Sequence, residues 1–168
     1  MLHLAEARLR KTLWTPPTGW REWLDYLRRS ERGATGTALS DFLENALLDH
    51  VLGKTTYTGP TTTYIAAFTV APGDSGGGTE VSGGSYARVA YTNSVANWPN
   101  ASGGSKSNAN TIDFGTATAD WGTIVAVAII DAATAGNFMF YGAMTNPKTV
   151  NQGDGFRFLA TKLSVALD

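Results

Sequence analysis

The hydrophobic period of this chain changes at Thr62, and that change limits what it can fold into. Before it, apolar residues recur at helical spacing; after it they alternate, as in a strand. "TYIAAFTV" (63–70) sets Tyr64, Ala66, Phe68 and Val70 on one face. "SYARVAYT" (85–92), "GNFMFYGAM" (136–144), "GFRFLA" (155–160) and "KLSVAL" (162–167) read as further strands, with weaker candidates at 111–115 and 148–151. "GTIVAVAIID" (122–131) is apolar on both faces, which marks a central strand covered twice. Between them lie "PGDSGGG", "SGGS", "PNASGGSKSNAN", "ATAGN" and "NPKTVNQGDG", built from the residues turns demand. The Gly/Ser/Asn stretch at 100–110 reads as a long surface loop. Six to eight short strands without βαβ spacing predict a mainly β fold: an antiparallel β-sandwich or jelly-roll-like domain preceded by short N-terminal helices.

Those helices are readable from their own stripes. Leu2, Ala5, Leu9 and Leu13 share one stripe, and Pro16 and Pro17 break it. Thr18 can cap a second helix in which Trp20, Trp23, Leu24 and Leu27 follow the i, i+3, i+4, i+7 pattern. Gly33 can terminate it, and "GATGT" (33–37) is a flexible joint. A third helix over 40–52 carries a wide stripe from Leu39 through Phe42, Leu43, Ala46, Leu47 and Val51, and Gly53 stops it. Asp41 and Glu44 have capping-box-like spacing, with Ser40 a competing cap. At this length a helix is marginal alone, so we expect Phe42, Leu43, Leu47 and Val51 to be buried against the sheet. The organisation is thus an N-terminal helical docking arm, 1–37, and a single β-domain, 38–168, with a leading helix at 40–52.

A length of 168 residues supports one full core, and 43% hydrophobic with 16% charged residues suits a globular β-domain. The net charge of −1 is unevenly placed: residues 1–37 hold seven Lys/Arg against four Asp/Glu, and 38–168 hold six against ten. An excess of three cations is too small for a phosphate-binding face, so nucleic acid is not an expected partner. The absence of cysteine excludes disulfides and thiolate metal sites. The longest apolar run, "IVAVAII" (124–130), is far short of the ~20 residues that span a bilayer, so membrane insertion is not expected. Glu6, Arg8, Arg10 and Lys11 interrupt any signal-peptide stretch.

Candidate chemistry is sparse. "GDSGGG" (73–78) resembles the nucleophile segment of trypsin-like proteases, with Ser75 in the serine position. That chemistry needs an oriented histidine base, and only His3 and His50 exist. The 24 residues from His50 to Asp74 cannot hold the barrel such a protease requires, so a hairpin turn is the better reading. Neither histidine has a His or Cys partner nearby, and "NQGDG" (151–155) falls short of the oxygen ligands of a calcium loop. No cofactor is expected. Asp113, Asp120 and Asp131 flank strand candidates and could converge as in a glycosidase, although strand-end aspartates usually serve turns. Trp98 and Trp121 are core or loop anchors. Trp14, Trp20 and Trp23 sit in an arm too small to make its own core. Tryptophan and arginine dominate interface energetics, so Trp14, Trp20, Arg21, Trp23, Leu24, Leu27 and Arg28 form the expected interface.

The segments "ALSDFLENALLDHVLGKTTYT", "TYIAAFTVAPGD", "GGSYARVAYTN", "NWPNASGGSKSN", "TIDFGTATADWGTIVAVAIIDAATAGNFMFYGAM" and "TVNQGDGFRFLATKLSVAL" occur in that order. Through them, residues 38–168 resemble a family of small bacteriophage proteins known as phage tail-fibre proteins. Members typically begin at the equivalent of "ALSDFLEN", so residues 1–37 depart from the pattern. The resemblance implies a virion component, made in the host bacterial cytoplasm, with a short helix, a compact β-domain and no catalytic site. It also implies partners: other phage structural proteins (tail or major capsid protein), further copies in a homotrimer, and the host surface. The expectation is a non-enzymatic tail-fibre-like subunit docked into the particle through its N-terminal arm. Its rivals are a capsid decoration protein, whose arm grips major capsid protein, and a polysaccharide-degrading enzyme.

Overall fold

The computed structural model describes residues 38–167. The helices and interface expected within residues 1–37 lie outside them. The chain enters as a two-residue strand, β1 (Ala38–Leu39), and turns into helix α1 (Asp41–Leu52). Ser40 caps that helix: its Oγ accepts from the Leu43 N–H at 3.3 Å and donates to the Phe138 carbonyl. One residue therefore starts the helix and ties it to the sheet. The helix ends at Gly53, where a Cβ would lie 2.9 Å from the Asp49 carbonyl oxygen. The left-handed residue that turns the chain away is Lys54, at φ 65°.

The expected strand segments form β2 (Thr62–Val70), β4 (Val89–Thr92), β7 (Gly122–Ile130) and β8 (Phe138–Val150). With β1 and the two-residue β3 (Thr79–Glu80) they make one six-stranded antiparallel sheet in the order β1-β8-β7-β2-β3, with β4 also on β2. The register runs from Tyr64 opposite Ile130 to Phe68 opposite Ala126, and from Ala128 opposite Tyr141 to Ile124 opposite Lys148. Five steps along β8 from Ala143 to Lys148 answer two along β7, a bulge that absorbs Pro147 within a continuous strand. The two expected strands at 136–144 and 148–151 are therefore one.

Two smaller antiparallel sheets complete the domain. In one, β5 (Ser105–Ser107) pairs with β10 (Ser164–Ala166). In the other, β6 (Ile112–Thr116) pairs with β9 (Gly155–Phe158). One core joins these layers: Ile65, Ala67, Val127 and Ile129 from the large sheet meet Ile112, Phe114 and Phe156 from the small ones and Leu163 just before β10, with Leu43 from α1. The fold is mainly β, an antiparallel sandwich of unequal layers. A second apolar cluster of Ala66, Phe68, Ala126, Ala128 and Ile130 occupies the opposite face of the large sheet. The central strand β7 contributes to both clusters, as expected of a segment apolar on both faces.

Three expectations are corrected. The 100–110 stretch is not all surface loop: it contains β5, and Asn108 is fully buried. "SYARVAYT" becomes strand only from Val89, because Gly83, Gly84 and Ser85 take positive φ and bend the chain first. Gly84 has no alternative there, since a Cβ would lie 2.8 Å from Trp121 Nε1 and 2.9 Å from the Ala119 carbonyl oxygen. On α1, Leu43 is buried, whereas Phe42 and Val51 are exposed. The helix leans a line through Leu43 and Leu47 on the core, narrower than the stripe it carries.

Candidate functional site

The residues that could carry chemistry are committed to backbone. Gly73 and Gly76 bond each other across a four-residue turn with Ser75 exposed at its tip. The preceding Asp74 accepts from the Tyr141 hydroxyl, and its carbonyl accepts from the Asp41 N–H at 3.1 Å. The loop is thereby fastened to β8 and to the start of α1. His50 Nδ1 accepts from the Tyr57 N–H at 3.2 Å, closing the turn after the helix. Asp113 accepts from the Gly115 N–H at 2.8 Å, Asp120 from the Gln152 N–H at 2.8 Å, and Asp154 from the Asn151 N–H at 3.0 Å. Asp131 holds both the backbone and side-chain nitrogens of Asn137, at 2.7 and 2.8 Å. Each carboxylate serves a turn. Among the described residues no group of three His, Cys, Asp or Glu could hold a metal ion, and no helix is long and apolar enough to cross a membrane.

A polar clamp shapes the β2 edge. β4 pairs with β2 over Thr62–Ile65 and β3 over Phe68–Val70, which leaves a gap in the ladder between them. Tyr86 fills it: its hydroxyl accepts from the Ala67 N–H at 2.8 Å and donates to Glu80 Oε1 at 3.0 Å. Burial pushes the Tyr86 phenol pKa up. Arg88 meets Glu80 through two bonds, Nε to Oε1 at 2.9 Å and Nη2 to Oε2 at 2.8 Å. Its Nη1 donates to the Ala132 and Ala135 carbonyls at 2.8 and 2.7 Å. The hydrogen bond to Glu80 raises the Arg88 pKa further. This fork fixes the 131–137 turn against the sheet edge.

Beside α1 lies a groove of about 600 Å³. Leu43, Leu47, Tyr57, Trp98, Met139 and Phe140 give it an apolar lining, and Lys106 is the charged residue in that lining. Trp98 is held by an edge-to-face contact with Tyr91, ring centroids 5.1 Å apart. Among the polar lining residues, Asn93 is occupied: Oδ1 accepts from Thr63 Oγ1 at 3.1 Å and Nδ2 donates to the Pro60 carbonyl at 2.8 Å. No sequence pattern marks this groove. Its walls come from α1, the 57–60 and 93–106 segments, β7, β8 and the C-terminal strand, and no spacing pattern links them.

The interface expected at Trp14, Trp20, Arg21, Trp23, Leu24, Leu27 and Arg28 lies outside the described residues. No curated protein matches this chain. A family model does, and its limits are those of the fold: the Podophage GP4 fiber I protein gp80 family matches residues 38–166, from the first residue of β1 to the last of β10, and the chain belongs to that family.

Proposed function

We propose that this chain is a non-enzymatic structural subunit of a phage fibre, part of the virion. In this reading residues 38–167 are the rigid exposed block, and residues 1–37 dock it onto neighbouring virion proteins. The family match over the whole β-domain carries the reading. The commitment of Asp113, Asp120, Asp131 and Asp154 to turns supports a building block over a hydrolase. Charge supports the division of labour, since a basic arm precedes an acidic body.

The test is a double substitution, Trp20→Ala with Trp23→Ala. Truncating a packed tryptophan costs ~3–5 kcal/mol in whichever equilibrium holds it. Incorporation into particles and the melting temperature of the isolated subunit are measured side by side. Docking predicts lost incorporation with the β-domain's melting temperature nearly unchanged. A large fall in melting temperature with normal incorporation would put both tryptophans on the chain's own domain and overturn the docking role. Labelling the subunit at the head shell in electron micrographs of intact particles would replace the fibre reading with capsid decoration.

A further inference from the structure

Helix α1 carries more apolar surface than the sheet beneath it uses. Leu43 is buried and Leu47 half-buried, and both join the core. Leu48, Val51 and Leu52 are instead 58%, 73% and 79% exposed. Spaced i, i+3 and i+4, they form one stripe turned away from the Leu43–Leu47 line. A stripe with that spacing is a surface suited to packing on another helix.

We propose that this stripe packs against the same stripe of a second copy, with the two α1 helices antiparallel about a twofold axis. Charge selects the antiparallel sense. Asp41 and Glu44 lie in the first turn of the helix, and Lys54 follows two residues after its last residue, Leu52. At 1.5 Å per residue Asp41 lies about 10 Å from Leu48 along the axis, and Lys54 lies past the opposite end of the helix, after Gly53. Antiparallel pairing centred on Leu48 therefore brings Lys54 of each copy beside the acidic first turn of the other, and it opposes the helix dipoles. A parallel bundle about a threefold axis, the arrangement the fibre resemblance implies, would gather three acidic first turns at one end.

The area sets the strength. The three exposures amount to roughly two fully exposed aliphatic side chains per copy, well below the ~800 Å² per partner of a stable complex. The contact is accordingly weak and reversible in free solution. It becomes populated where copies are held side by side, as local concentrations reach the millimolar range. The proposal goes beyond the fibre reading and does not depend on it, because self-association is read in solution without any particle.

The chain has no cysteine, so Leu48→Cys in the full-length protein gives a single thiol at the proposed centre. Oxidation should yield a disulfide-linked dimer. Val70→Cys, also exposed (56%) but on β2, is the control and should not cross-link. Sedimentation from about 10 μM to about 1 mM should show a monomer–dimer equilibrium. Leu48→Glu with Leu52→Glu should weaken it at least tenfold, with the fold checked by circular dichroism. Lys54→Glu alone should also weaken it, and Asp41→Lys with Lys54→Glu should restore it. A monomer at every concentration, a trimer, or association untouched by Leu48→Glu/Leu52→Glu would overturn the proposal. So would equal cross-linking at the two cysteine positions, or a charge swap that restores nothing.

Discussion

Asn108 offers the sharpest test of how this domain is held together. It is fully buried, and its side chain spends all its hydrogen bonds on backbone. Nδ2 donates to the Asn110 carbonyl at 2.8 Å and the Leu159 carbonyl at 2.9 Å, and Oδ1 accepts from the Leu163 N–H at 2.8 Å. Its own N–H and carbonyl bond Leu163 and Thr161 at 3.0 and 2.7 Å. Four of these five bonds stitch the 108–110 segment to 159–163, seat Leu163 in the core and deliver β10 to β5. Asn108→Ala leaves the Leu163 N–H unpaired and takes one of two donors from each of two carbonyls, since Asn110 keeps the Tyr91 hydroxyl and Leu159 the Lys162 N–H. At ~1–3 kcal/mol for the unsatisfied N–H and ~0.5–1.5 kcal/mol for each of the two lost bonds, the loss is about 4 kcal/mol, a large share of a typical ~5–15 kcal/mol total. With a urea slope near ~2 kcal/mol/M, the midpoint should fall by about 2 M. A shift below ~0.5 M would mean that the stitch is replaceable and the reasoning wrong.

Asn108→Asp separates hydrogen bonding from packing. The shape and the acceptor for Leu163 survive, but a second oxygen now faces two carbonyl oxygens where a donor had stood. Burial and those carbonyls hold such a carboxyl protonated in the folded state, above the ~3.9 of the unfolded chain. The folded state then binds the proton more tightly, so stability relative to Asn108 should be best below about pH 4 and fall as pH rises from there. Urea midpoints of the two proteins between pH 4 and 8 measure this directly. A pH-independent difference, or one that grows in acid, would refute it.

Tyr86→Phe should cost ~1–3 kcal/mol, because it leaves the Ala67 N–H unpaired, and amide exchange at Ala67 should quicken. Since burial raises the Tyr86 pKa, its protonated form stabilises the fold below the unfolded value near 10 and is lost as pH rises past it. The native protein should therefore lose more stability than Tyr86→Phe above about pH 10; equal losses would contradict the role given to the hydroxyl. Ser75→Ala should change neither stability nor any hydrolytic background, because Ser75 lies exposed at the tip of a glycine turn. Hydrolysis that disappears in this variant with folding intact would reopen the protease reading.

Much of the large sheet was legible because long strands repeat their period enough times to be read. β2 matches the alternating segment and β7 the segment apolar on both faces, each over nine residues, while Gly53 marks the end of α1 and Ser40, one of two candidate caps, its start. What escaped is short or polar. β1 and β3 have two residues each, too few to show a period, and β5 reads "SKS", with no apolar residue to alternate. Tyr86 and Arg88, two apart in "SYARVAYT", have the spacing of one strand face. Their spacing is real, but it serves to bridge the gap between β4 and β3 rather than to extend β4. A gap in a ladder is a property of three segments at once, and no local pattern records it. The groove was hidden for the same reason.

The misreading of α1 has a different cause. A helical stripe reports which residues are better out of water, and it carries no information about which surface covers them. Leu43 and Leu47 meet the chain's own core; Leu48, Val51 and Leu52 have equal hydrophobic value and point elsewhere. In a protein that acts alone the two sets would be expected to coincide, because an exposed apolar stripe stabilises nothing and invites nonspecific association. Here they diverge by a fraction of a helical turn, on an element whose 12 residues are marginal without packing. The width of the stripe beyond the line the fold uses is therefore the quantity to read in a subunit of this family. It separates residues that make the domain from residues left over for assembly, and the Leu48→Cys cross-link measures that surplus directly.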